Sequence, residues 1–392
     1  MYSRVITDNI KMDLADKMVL LTGPRQCGKT TLARSLAPEG KCLAYFNWDI
    51  EAHRKLLRAA NLPADTSLWI FDEIHKNRGW RNWLKGVYDL HHDKHSILVT
   101  GSARLELYSR GGDSLQGRYF LHHLHPLTLN EIQGKRSFCE EALRDLPAVA
   151  PFSQLEALLR LSGFPEPFTK GEQRFANRWR TQYSNLLLRD DVRTLEDIRN
   201  IDKMEILFDQ LGRTVGSVLS INALREDLEV AFDTVRNWVA ILDRLYATFR
   251  LSPFGPPKIR AVKKEQKLYF WDWCRAESDS GKMENLVALH LLRLANWIED
   301  TEGVRTELRY FRTPMGHEVD FVLLKNRKPW LAVEVKADDR PLDGNLKYLL
   351  ERVEIPYSFQ LSFAGKNDVF IPNVGKHGVR MVPASKFLAN LP

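Results

Sequence analysis

The sequence predicts an α/β protein: a P-loop core on a parallel sheet, a helical middle, and a second, smaller α/β domain at the C-terminal end. Three observations carry this prediction. A strand-like apolar run at 17–21 leads straight into Gly23-Pro-Arg-Gln-Cys-Gly28-Lys29-Thr30, and apolar positions at helical spacing follow over 31–37. A second apolar run, 67–71, ends in Asp72-Glu73. Far downstream, 317–323 and 330–336 alternate polar and apolar residues as half-buried strands do.

Composition sets the outer bounds. The 392 residues suit two or three domains, and 44% apolar with 27% charged residues is ordinary for a globular chain. No apolar run is long enough to span a bilayer, and residues 1–11 carry no apolar signal-peptide core. The four cysteines, Cys27, Cys42, Cys139 and Cys274, show no CxxC spacing. That pattern predicts a reducing cytoplasm without disulfides or structural zinc. Lys and Arg number 57 against 50 acids, a formal charge of +7. The excess permits nucleic-acid binding without establishing it.

The first motif is a full GxxxxGK[ST] in its strand–loop–helix setting. The cradle is Gly23, Pro24, Arg25, Gln26, Cys27, Gly28, Lys29, Thr30 and Thr31. Its glycines let backbone N–H groups close around phosphate oxygens, and the following helix N-terminus favours negative charge. Lys29 is expected on the β- and γ-phosphates of ATP and the Thr30 hydroxyl on Mg²⁺. Asp72, ending its strand, is the expected carboxylate for the metal, and Glu73 the base that orients water. A third strand, 96–100, makes Thr100 or Ser102 the candidate γ-phosphate sensor. Arg118 is the first candidate for an arginine acting on a neighbouring subunit's nucleotide, and Arg104 the second. An ordinary salt bridge is the competing role for either.

The runs LLTGPRQCGKTTLARSLA, LWIFDEIHK, ILVTGSARLEL and SLQGRYFLHHLHPLTLNEI resemble the prokaryotic AAA-type (AAA+ superfamily) ATPases. More narrowly, they resemble the group with a C-terminal domain of the restriction-endonuclease-like fold (PD-(D/E)XK type, DUF4143), and Gly163-Phe-Pro-Glu-Pro167 fits that group as well. The resemblance implies a AAA-type core at 1–135 and a helical lid at 136–200, including the basic and aromatic stretch 175–183. It also implies a homo-oligomer, such as a hexamer.

Residues 201–272 read as a winged-helix module. Helical patterns at 206–219, 222–228 and 233–246 are followed by hairpin strands at 249–253 and 267–270, with Asp233 or Thr234 expected to cap the third helix. Its outer face would present Thr234, Arg236, Asn237 and Arg244 to DNA, with Asp233 and Asp243 counting against that use. Arg260, Lys263 and Lys264 in the wing are the stronger phosphate contacts. A plain bridge between domains is the alternative role for this module.

In the last region, 273–392, helix 282–297 carries Glu284 in its first turn. Glu318 and Asp320 share one strand face, and Glu334 and Lys336 share another. The D…ExK spacing resembles restriction-endonuclease-like nucleases. On that reading Asp320, Glu334 and Glu284 hold Mg²⁺ or Mn²⁺, and Lys336 stabilises developing phosphate charge. A domain that only grips DNA or a protein keeps the same scaffold. Two functions therefore stand open. One is an ATP-driven machine that binds and remodels duplex or branched DNA, by translocation or branch migration, with or without cleavage. The other is a nucleotide-dependent switch or defence component acting on a protein partner.

Overall fold

The computed structural model describes residues 2–37, 42–102, 115–135, 138–192, 200–255 and 265–392. The chain forms two compact units, Met1–His125 and Pro126–Pro392.

In the first unit the strands are β1 (Met18–Thr22), β2 (Leu43–Asn47), β3 (Leu68–Asp72), β4 (Ser96–Gly101) and β5 (Tyr119–His123). They lie in the order β2-β3-β4-β1-β5, every pair parallel. All five residues of β1 and of β3 are buried, as central strands covered on both faces require. Among the described residues, the α-helices that accompany them are α1 (Thr7–Asp16), α2 (Lys29–Ser35), α3 (Glu51–Arg58) and α4 (Trp80–His91). Trp80, Leu84 and Val87 of α4 recur at helical spacing and bury with Trp69, Phe71 and Ile97 of the strands. Register places Asn47, Asp72 and Thr100 side by side at the carboxyl end of the sheet. Ligands of open parallel sheets bind along that edge.

Among the described residues, the α-helices that open the second unit are α5 (Leu129–Ile132), α6 (Ala142–Asp145), α7 (Phe152–Leu161), α8 (Pro165–Lys170), α9 (Gln173–Asn185), α10 (Ile201–Gln210) and α11 (Ile221–Leu228). Then come α12 (Phe232–Arg244), β6 (Thr248–Phe254) and β7 (Lys267–Phe270). The chain continues through α13 (Asp279–Glu302), β8 (Thr306–Arg312), β9 (Glu318–Lys325), β10 (Lys328–Lys336), α14 (Gly344–Leu350), β11 (Tyr357–Ser362), β12 (Val369–Ile371), β13 (Val379–Pro383) and α15 (Ala384–Leu388).

The Gly163–Pro167 motif has a packing cause. A Cβ at Gly163 would lie 2.6 Å from Trp273 and 2.7 Å from the Leu127 carbonyl. The Gly163 carbonyl itself accepts the Leu127 N–H at 2.6 Å. Pro165 then starts α8, where its missing N–H costs nothing.

Helix, helix, helix, hairpin is the observed order over 201–270, with three departures from expectation. The first helix is Ile201–Gln210, followed by a 3₁₀ turn at Leu211–Arg213. Ala231, not Asp233 or Thr234, stands at the cap of α12, with no side-chain cap. Apolar Phe232 continues the helix one residue earlier than the acid signal suggested. The hairpin is not a free wing. β6 pairs antiparallel with β7 and, through Ser252–Phe254, parallel with β8. It thereby becomes the edge of one eight-stranded mixed sheet, β12-β13-β11-β10-β9-β8-β6-β7. Arg260, Lys263 and Lys264 lie outside the described residues.

The core of this unit holds a buried histidine. His290 of α13 is buried, its Nδ1 2.8 Å from the Leu286 carbonyl, while its Nε2 accepts the Leu129 N–H at 3.3 Å. That assigns a neutral ring protonated on Nδ1, and burial pushes its pKa down to about 4. The unfolded chain takes up this proton near pH 6.5. The stability His290 lends is therefore full above about pH 6.5 and lost as pH falls through about 4. It amounts to on the order of 3 kcal/mol. Denaturant midpoints measured across that window should fall in the native chain and fall less steeply in His290→Gln.

Candidate active site

The nucleotide-type site is built from four strand ends and one helix. Gly28 (φ 100°) and Gln26 (φ 61°) turn the backbone through left-handed conformations, delivering the chain into α2. Gly23, at φ 149°, passes so close to the last turn of the unit that a Cβ there would stand 2.2 Å from the Leu124 carbonyl oxygen. Cys27 is buried under the loop, its thiol 3.5 Å from that same carbonyl. Arg4 donates to the Cys27 carbonyl at 3.2 Å and also to that of His125. Pro24, Arg25 and Thr31 occupy the expected loop and first helical turn.

Lys29 is 6% exposed, and its ammonium donates to the carbonyls of Gly23 (2.9 Å) and Pro24 (2.7 Å). The Thr30 hydroxyl donates to Asp72 Oδ2 at 2.9 Å. Asp72 also accepts from Thr100 and, at 2.6 Å, from the Tyr45 hydroxyl. A hydroxyl and a carboxylate held together at the loop's end are hard oxygen donors, and they fit Mg²⁺. Tyr45 was not foreseen. Burial, and then Asp72, push its phenol up to about 12, so it stays a donor.

Glu73 adopts φ 56°, a left-handed conformation unusual for this residue, with its N–H fixed to the Thr100 carbonyl at 3.0 Å. Its carboxylate accepts from Ser102 at 3.3 Å and lies 3.5 Å from His75 Nε2 and 3.9 Å from Lys76. Burial pushes the His75 pKa down. Thr100 thus contacts Asp72, while Ser102 contacts Glu73. Arg118 instead bonds Asp89 of its own chain, at 2.7 and 3.2 Å. Arg104 lies outside the described residues.

The C-terminal constellation is assembled differently from a metal shell. Lys267, at the start of β7 and 1% exposed, places its ammonium 2.6 Å from Glu318, 3.3 Å from Glu284 and 3.9 Å from Asp320. The Tyr269 hydroxyl donates to the same Glu284 oxygen at 2.7 Å. Lys336 bridges Glu334 (2.7 Å) and Asp343 (2.8 Å).

Asp320 and Glu334 also clasp each other's strands. Asp320 accepts the Val335 N–H at 2.9 Å, and Glu334 accepts the Asp320 N–H at 3.3 Å. These contacts replace sheet pairing just beyond the Phe321–Val333 pair. Burial, then Glu334 and Glu284, hold the Asp320 carboxyl well above its usual pKa, and burial raises that of Glu334. Burial opposes the charge on Lys267, yet its three acids hold its pKa above the ordinary value.

Among the described residues no three His, Cys, Asp or Glu side chains gather in a way that could hold a metal ion. The metal shell expected of Glu284, Asp320 and Glu334 does not fit the residues as placed, because an ammonium stands between two of them and a second ammonium holds the third. Nothing local in the sequence marks Lys267, Tyr269 or Asp343 as members of this centre. Strand alternation does point to Glu318, which shares a face of β9 with Asp320.

On the three-helix module, Arg236 pairs with Asp233 at 3.0 Å, both exposed, and Asn237 is exposed beside them. Thr234 and Arg244 are half-buried. Asp243 is turned inward, bonded to Arg250 at 2.6 Å and Thr248 at 2.7 Å, so it does not charge the outer face. No helix among the described residues is long and apolar enough to cross a membrane.

Known proteins resemble this chain in several of its parts. Residues 153–274 match a domain of unknown function, DUF8612, and the sheet crosses from that match into the next at β6–β8. An uncharacterized Methanocaldococcus jannaschii protein, MJ1637, is 26% identical over 291 residues, covering 65% of this chain and 60% of that protein. The chain therefore spans about 60% of that relative's length. Rv2008c of Mycobacterium tuberculosis, likewise uncharacterized, is 25% identical over 335 residues, covering 83% of this chain and 71% of that protein. Among solved structures, C. elegans PCH-2 aligns at TM-score 0.26 and 13% identity over 61% of this chain and 70% of that one. A STAND-class signal transduction ATPase from Pyrococcus horikoshii aligns at 0.27 and 13% over 77% and 48%. Residues 15–133 match the AAA domain family and residues 280–370 the family DUF4143, so the chain carries an AAA-type domain followed by a C-terminal DUF4143 domain.

Proposed function

We propose that the protein hydrolyses ATP with Mg²⁺ at the P-loop and couples this to binding and remodelling DNA, by translocation or branch migration. The observation that carries the ATP half is the Thr30 hydroxyl on the Asp72 carboxylate, set beside a buried Lys29 at the carboxyl edge of a parallel sheet. Mg²⁺ held there would neutralise phosphate charge and stabilise the charge that develops on the leaving group. Thr30 and Asp72 hold the ion, Lys29 meets the β- and γ-phosphates, and Glu73 orients the attacking water. Thr100 and Ser102, each bonded to one of the two acids, relay the state of the γ-phosphate to them. Arg118 serves a neighbouring copy's nucleotide in a homo-oligomer once it leaves Asp89.

The DNA half rests on the helix–helix–helix–hairpin order of 201–270, the outward Arg236 and Asn237, and the net charge of +7. Fluorescence anisotropy with duplex and branched DNA tests it. Binding should be strongest at low salt and fall steeply as salt rises. Arg236→Ala should weaken it about equally across sequences, and reduce the salt slope by about 1. An absence of binding at low salt would reject DNA as the partner and leave the nucleotide-dependent switch acting on a protein.

A further inference from the structure

The acidic centre of the second unit gathers Glu284 from α13, Glu318 and Asp320 from β9 and Glu334 from β10. Carboxylates packed this closely cannot all stay ionised without a cation among them. The chain supplies that cation from an unexpected direction. Lys267 enters from β7, the outermost strand of the hairpin, and its ammonium touches acids of two other elements while remaining 1% exposed. Tyr269, two residues along the same strand, holds Glu284 from the same side. The place of β7 at the sheet edge, set by the parallel β6–β8 pairing, is what brings Lys267 here.

We propose that Lys267 is a built-in cation standing where a divalent metal would otherwise be needed, so that this centre folds and holds its shape without metal. An ammonium can balance carboxylate charge, but it offers no open coordination position and cannot lower the pKa of a bound water as a metal does. The consequence is a domain with the frame of a metal nuclease whose centre is closed by its own lysine. It serves as a binding scaffold and does not cut.

Mn²⁺ binding to the nucleotide-free full chain tests this by electron paramagnetic resonance of the free ion. All samples carry Asp72→Asn, to silence the P-loop. The parent should leave Mn²⁺ free, and adding Asp320→Asn should change nothing. Lys267→Met should take up one Mn²⁺ per chain and melt at a higher temperature with the ion than without it. Asp320→Asn in that background should abolish both effects. Lys267→Gln, which keeps a hydrogen-bond donor, gives the same reading should Lys267→Met not fold. Stoichiometric Mn²⁺ on the parent that Asp320→Asn removes would overturn the proposal. So would a folded Lys267 variant that takes up none.

Discussion

Replacing Lys29 with alanine should leave a folded protein that no longer turns over ATP. The side chain is 6% exposed, and its ammonium is tied to the Gly23 and Pro24 carbonyls, 2.9 and 2.7 Å away. Those bonds hold the charge inside the loop, poised for the phosphates. Alanine removes the only side-chain ammonium in this run of loop residues. Loss of one well-placed charge-stabilising donor costs about 10²–10³-fold in turnover. The fold should survive, because the two freed carbonyls border a loop that can admit water. Phosphate release with Mg²⁺-ATP, paired with a thermal melt, measures both halves. Full turnover in a normally folded Lys29→Ala variant would mean that the P-loop does not carry the reaction.

Gly23→Ala should do larger structural damage than its one added methyl suggests. The new Cβ would sit 2.2 Å from the Leu124 oxygen and 3.2 Å from the Leu124 carbonyl carbon, at φ 149°. Neither neighbour is a flexible side-chain tip. The Leu124 N–H is itself pinned to the Thr22 carbonyl at 2.8 Å, so that backbone cannot retreat without unzipping the end of β5 from β1. Overpacking together with an unfavourable backbone conformation predicts a loss on the order of 3 kcal/mol, and with it the nucleotide site. Gly86→Ala is the matched control, since a Cβ there meets nothing within 4 Å inside α4. It should be neutral or gain up to about 1 kcal/mol. Chemical unfolding of the two variants side by side checks the contrast, and equal stabilities would show that the close approach at Gly23 is misplaced.

The legible parts of this molecule are those whose chemistry is local in sequence. The P-loop declares itself within a dozen residues, because strand, glycine turn and helix follow one another without a break. Asp72 is legible because an apolar run that ends in acids marks the edge of a buried strand. Tyr45 is different. Its bond to Asp72 depends on β2 lying next to β3, and strand order is not written in either run. Lys267 is the stronger case. Its residue type and its place at the foot of a hairpin suggested a wing strand beside a basic stretch. Its partners lie 17 to 53 positions away, and they become neighbours only because β6 joins β8 in a shared sheet. The spacing of Asp320, Glu334 and Lys336 spoke to the frame of that centre but not to the cation inside it.

The most direct test of the central claim is the rate of Mg²⁺-dependent ATP hydrolysis by the full chain, alone and with single-stranded, duplex or branched DNA, with Lys29→Ala alongside. One of these DNA forms should accelerate turnover, and Lys29→Ala should abolish it throughout. A rate that stays flat across every DNA form, in a protein whose P-loop is turning over ATP, would contradict the coupling to DNA.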